Sequence, residues 1–189
     1  VGRSTTDTGV AGPPSAHAPR VSAIRYGARF IGFLEPVGAE CAANPRPGSP
    51  FQPPFHPINV GTISGGAGRS IIAEDCEIDW ELRVTPPADG AAEMQRIESF
   101  LDGLQDEMRG LFPQASISTE TVSNYPGLRA DPSSTTLDLV GQVSGENDFT
   151  PAPFGTDAGC FDREGLPCVL YGSGSIHKAH IQTVYISIL

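Results

Sequence analysis

Between Ile58 and Val122 the spacing of apolar residues switches from two to nearly four and back to two, and those switches mark out the elements. Ile58 to Ser64 reads as a strand that ends at Gly65-Gly66. From Ile71 to Thr85, Cys76, Ile78, Trp80, Leu82 and Val84 alternate with polar residues. This predicts a long half-buried strand, antiparallel to the first across the Gly-Gly bend. Pro86-Pro87 breaks it, and Asp89 can cap the helix that follows. That helix, Gly90 to Phe112, carries Met94, Ile97, Leu101, Leu104, Met108 and Leu111 at helical spacing. Ala115 to Val122 alternates again and predicts a third strand. Upstream, Val21, Ile24, Ala28, Ile31 and Leu34 predict a helix from Arg20 to Leu34, stopped by Pro36. Val1 to Pro19 is rich in Gly, Ser, Thr and Pro and reads as loop, and Cys41 to Pro57 as an extended connection with six prolines. The order describes a small two-layer α+β domain whose first strand is missing or survives only as a tail at Val1 to Arg3.

Turn residues around Asn124 to Pro132 predict a domain boundary, dividing the chain into 1–122 and 123–189. The second part predicts a helix from Ser133 to Ser144, a loop from Pro151 to Gly165 and a strand from Leu166 to Tyr171. A Gly-Ser turn follows, with a closing segment from Val184 to Leu189.

Composition narrows the partners. The 189 residues are 39% hydrophobic, enough for a real core, and carry a net charge of −10 with a pI near 4.7. That balance excludes a nucleic-acid or membrane-surface role, which needs a basic face. No apolar run reaches the ~18 residues needed to span a bilayer, and Val1 to Pro14 lacks the apolar centre of a signal peptide. Cys41, Cys76, Cys160 and Cys168 have no CxxC spacing and read as reduced thiols of a cytoplasmic protein.

Two stretches carry the candidate chemistry. One is FGTDAGCFDREGLPCVLYGSGSIHKAH, from Phe154 to His180; the other is INVGTISGGAGRSIIAEDCEIDWELRVTPPAD, from Ile58 to Asp89. An imidazole beyond a strand and a Gly-rich loop suits metal binding or proton transfer; alternatively, His180 is a surface histidine near the end of the chain. Arg83 interrupts an apolar-rich strand, so its guanidinium either finds a carboxylate or faces solvent. Thr156 or Asp157 would cap a helix over Ala158 to Glu164. Gly172-Ser-Gly-Ser lacks the Lys and helix of a phosphate loop. His56, between prolines, reads as a loop residue, and His177 as exposed.

Together the two stretches resemble the two-zinc amidohydrolase family of acetylornithine deacetylase, succinyl-diaminopimelate desuccinylase and the aminoacylases. The resemblance implies a ferredoxin-like lid (dimerisation) domain, with an antiparallel sheet and two helices on one face, plus an incomplete α/β catalytic segment. It implies a zinc- or cobalt-dependent hydrolase that removes the N-acyl group of an amino acid, and a homodimer formed through the lid. Gly172 to His180 reproduces the pattern that ends in a metal-binding histidine, making His180 the metal ligand. Gly155 and Thr156 match a loop on the substrate side, and Arg83 stands where the family binds a carboxylate. His17 resembles the lid histidine that stabilises the oxyanion in the partner's site. Ser70 occupies the place of a substrate-contacting Asn, and a hydroxyl offers fewer hydrogen bonds than an amide.

The departures are as informative. There is no His-x-Asp and no Glu-Glu, the sources of metal ligands and general base, and Ile181 to Tyr185 depart from the family's C-terminal signature. The expectation is a fragment with little or no bound zinc and no turnover of its own. The alternative function is a non-catalytic dimerisation module or inactive truncated product. The missing first strand would leave an open sheet edge and favour association.

Overall fold

One of the two inner strands of the sheet is not marked by hydrophobic patterning. In the computed structural model, which describes residues 2–8, 21–86, 88–128, 131–145, 149–151 and 155–172, β1 runs over Gly2–Thr8. It pairs antiparallel with β3 (Asp75–Leu82) on one side and with β4 (Ser116–Ser123) on the other. The first strand is therefore present, and β3 has no open edge. GRSTTDT holds no large apolar residue, so its strand character comes from its neighbours and from the β preference of Thr. Thr5 is fully buried; its hydroxyl accepts from Trp80 Nε1 at 3.1 Å and meets Thr119 Oγ1 at 3.2 Å.

β2 (Ile58–Gly65) completes a four-stranded sheet of order β2-β3-β1-β4, with every neighbour antiparallel. With α1 (Ala23–Ala43) between β1 and β2 and α2 (Ala91–Leu111) between β3 and β4, this is a ferredoxin-like α+β arrangement. Both helices cover one face, where Cys76, Ile78, Trp80 and Leu82 of β3 meet Phe30, Leu34, Ile97, Leu101, Leu104 and Met108. Fully burying each large side chain contributes about 1.5–3 kcal/mol.

β3 is shorter than the alternation of Ile71 to Thr85 predicts. It stops at Leu82 because its partners stop: Ile58 opposite Leu82 follows Pro57, and Gly2 opposite Glu81 begins β1. The Gly-Gly bend is steric, since a Cβ on Gly65 would lie 2.4 Å from the Asp75 carbonyl oxygen and Gly66 holds φ 73°.

α1 differs from the expectation in length and in face. It passes through Pro36, which is exposed, as is Gly32 four residues before it. The carbonyl freed by the missing N–H therefore faces solvent, where water can satisfy it. Buried Leu34 and Val37 hold the helix across this point. The buried stripe is Ala23, Tyr26, Phe30, Leu34 and Val37, whereas Ile24 and Ala28 face out.

After the lid, α3 (Thr135–Ser144) starts at Ser134, whose side chain accepts from Thr136 N at 3.3 Å, and α4 spans Ala158–Arg163. Residues 166–171 form no strand. A strand exists only through its partners, and among the described residues none lies alongside; Leu166 and Tyr171 stand exposed.

Candidate functional site

The topology gives the lid two ends. Hairpin β2–β3 turns at one end, where β1 finishes and α1 begins; the Ala23 amide donates to Ala73 O at 3.0 Å there. Ser70 lies in this connection, exposed. Arg83 lies just past the other end of β3, and eight residues at ~3.3 Å each put the two ends about 26 Å apart. The structure does not bring Ser70 and Arg83 together.

Arg83 finds its carboxylate within the chain. Its Nε and Nη2 donate to Glu81 Oε1 at 2.8 and 2.7 Å, and its amide donates to Pro57 O at 2.9 Å. The guanidinium is more than half exposed, so the pair contributes at most about 1 kcal/mol and can be exchanged for another anion.

Gly155 and Thr156 occupy the same end as Arg83. A Cβ on Gly155 would sit 3.5 Å from the Tyr125 side chain. Thr156 Oγ1 accepts from Ala158 N at 3.3 Å, so it is Thr156, not Asp157, whose side chain holds the first turn of α4. Behind it, Gly159 approaches the 125–127 segment so closely that a Cβ would lie 1.9 Å from Pro126 O. Gly127 in turn approaches the Pro86 ring, which a Cβ would meet at 2.5 Å. Pro86, Tyr125 to Gly127 and the α4 loop thus form a chain of contacts at the end of the lid where Arg83 also lies.

His17 and His180 lie outside the described residues. Among the described residues, no three His, Cys, Asp or Glu side chains converge as a metal-ligand set.

His56 carries more than its Pro-flanked sequence predicts. It is only 2% exposed, its Nδ1 accepts the Thr85 amide at 2.9 Å, and Arg46 lies against its Nε2. Burial, and secondarily the Arg46 charge, hold its pKa below the ordinary histidine value. A cleft of about 260 Å³ opens beside it, walled by Glu40, Cys41, Arg46, Glu93 and Arg96. A histidine whose Nδ1 accepts a backbone amide is a structural fixture as much as a reactive group.

The outer sheet face is acidic. Asp75, Glu77, Asp79 and Glu81 alternate with the buried residues of β3 and point away from the helices. Glu77 takes a bond from Ser4, and Asp79 one from Thr62.

Residues 2–109 match the family model described as a peptidase dimerisation domain. Acetylornithine deacetylase from Myxococcus xanthus is 27% identical over 138 residues, covering 73% of this chain and 35% of that protein. N-formyl-4-amino-5-aminomethyl-2-methylpyrimidine deformylase from Bacillus subtilis is 27% identical over 152 residues, covering 73% of this chain and 35% of that protein. Among solved structures, aminopeptidase PepT from Bacillus cereus superposes with a TM-score of 0.59 at 19% identity, over 88% of this chain and 41% of that one. The chain thus spans about a third of the length of these curated relatives. The ferredoxin-like sheet with both helices on one face lies within the matched residues or just beyond them, and the chain belongs to the peptidase dimerisation domain family.

Proposed function

We propose that this chain is the lid and the adjoining segment of a metal-dependent amidohydrolase that releases the N-acyl group of an amino acid, resembling acetylornithine deacetylase. The observation that carries the reading is the match over residues 2–109 on a complete ferredoxin-like lid, together with a likeness to acetylornithine deacetylases. Residues 1–122 are the lid and 123–189 belong to the catalytic domain. Arg83 exchanges Glu81 for a substrate carboxylate, while Gly155 and Thr156 line the substrate side. Ser70 and His17 act from lid loops, and His180 is a ligand of zinc or cobalt. The family matched is the dimerisation domain itself, which favours a second reading, a module that associates without chemistry.

Association does not follow from a missing strand, since β1 is in place. It follows from the outer edges of β2 and β4, each paired on one side only. Stacking two sheets through their outer faces would oppose the carboxylates of both β3 strands, so pairing by an edge and its neighbouring helix is favoured. We place the homodimer in the cytoplasm, as for a protein with reduced thiols. No helix among the described residues is long and apolar enough to cross a membrane.

Sedimentation equilibrium should give twice the 19.9 kDa chain mass. A mass of one chain across a wide concentration range would remove the homodimer. Coding sequence upstream of Val1 should contain a His-x-Asp and a Glu-Glu pair, and their absence would favour the non-catalytic module.

A further inference from the structure

Thr85, two residues past Arg83, is fastened at every polar backbone and side-chain atom. Its amide donates to His56 Nδ1 at 2.9 Å, its carbonyl accepts from Arg46 Nη1 at 2.6 Å, and its hydroxyl donates to Phe55 O at 2.8 Å. His56 and Thr85 are both buried, so each bond lost there leaves a polar group without water. What this fixture holds in place is Pro86.

Pro86 is the wedge between the lid and the segment beyond it. Its ring occupies the space next to Gly127, where a Cβ would be 2.5 Å from Pro86 Cγ. The adjacent Pro126 carbonyl abuts the Gly159 backbone in α4, and Tyr125 faces Gly155. Close packing without intervening side chains transmits displacement, because such contacts have no slack to absorb it.

We infer that Arg46, His56 and Thr85 form a clamp that positions Pro86 against Gly127 and so sets the lid against α4 and the Gly155–Thr156 loop. His56 is a positioning residue: it supplies the acceptor that fixes the Thr85 backbone. The clamp stands on the geometry alone and holds whether or not the amidohydrolase reading is right.

Amide exchange followed by mass spectrometry on the full chain at neutral pH tests it. The amides of Gly159, Cys160, Phe161 and Glu164 are hydrogen-bonded within the α4 turn and report its docking. His56→Ala and Pro86→Ala should each speed exchange in a peptide covering 156–165 by about tenfold, following opening of that unit. A peptide from Ile97 to Met108 in α2 should stay at the wild-type rate. His56→Asn, whose carboxamide oxygen can replace Nδ1 as acceptor, should restore protection. The clamp is overturned if 156–165 exchanges at the wild-type rate in both alanine variants, or if α2 accelerates equally. Failure of Asn to do better than Ala would also overturn it. Should His56→Ala not fold, Pro86→Ala decides alone.

Discussion

Thr5→Val removes one hydroxyl from the centre of the sheet and leaves shape and strand preference nearly unchanged. Thr5 is fully buried in β1, with its backbone paired to Ile78 on one side and Thr119 on the other. Valine fits that site, so the backbone ladder should survive. The Trp80 indole N–H, 3.1 Å from the lost oxygen and on a side chain only 3% exposed, is left without an acceptor. A buried donor stranded this way costs about 1–3 kcal/mol, partly offset by the added methyl, so the expected loss is about 2 kcal/mol. At roughly 2–4 °C per kcal/mol for a chain of this size, Tm should fall by about 4–8 °C. The assay is thermal unfolding followed by circular dichroism, with Thr119→Val as the control. Thr119 is exposed and its hydroxyl meets that of Thr5, so its loss should stay below about 1 kcal/mol. A Thr5→Val protein melting within a degree of wild type, or higher, would refute the view that this polar pair organises this inner strand.

Phe30→Ala should cost about 3–5 kcal/mol in urea unfolding, because Phe30 is 1% exposed and meets Trp80 edge-on at a centroid distance of 5.6 Å. Gly159→Ala should detach α4 from Pro126, read as faster alkylation of Cys160 with little change in lid stability; an unchanged rate counts against the packing described. His56 predicts a pH dependence with a definite sign. Its folded pKa is lowered by burial and then by Arg46, against the opposing charges of Glu93 and Asp89, so the unfolded chain takes up the proton first. Stability should be complete above the ordinary value of about 6.5 and fall as pH drops below it, by at most ~1.4 kcal/mol per pH unit. The decline should end beneath the lowered folded pKa, and His56→Asn should flatten it in unfolding curves taken from pH 7.5 to 5.

Local periodicity was sufficient for β3 and α2, each of which buries one face and exposes the other. The alternation of Cys76, Ile78, Trp80 and Leu82 and the helical spacing of Ile97, Leu101, Leu104 and Met108 predicted β3 and α2, because amphipathic burial is written in residue order. Arg83 and Gly155 to Thr156 were singled out by a resemblance and not by periodicity, and the structure gives their surroundings: a carboxylate two residues back and a first helical turn. Tertiary structure decided the rest. A polar heptapeptide became an inner strand because β3 and β4 flank it and Trp80 reaches its threonine. An exposed proline was carried inside α1 because Leu34 and Val37 are anchored on the sheet around it. Residues 166–171 carry strand-like residues without a strand, since a ladder needs a neighbour that no single segment can supply. His56 looked like a loop residue and became buried because its acceptor meets an amide 29 residues away. Sequence order determines which face of an element is apolar; only the assembled chain determines what that face, or a polar strand between two others, meets.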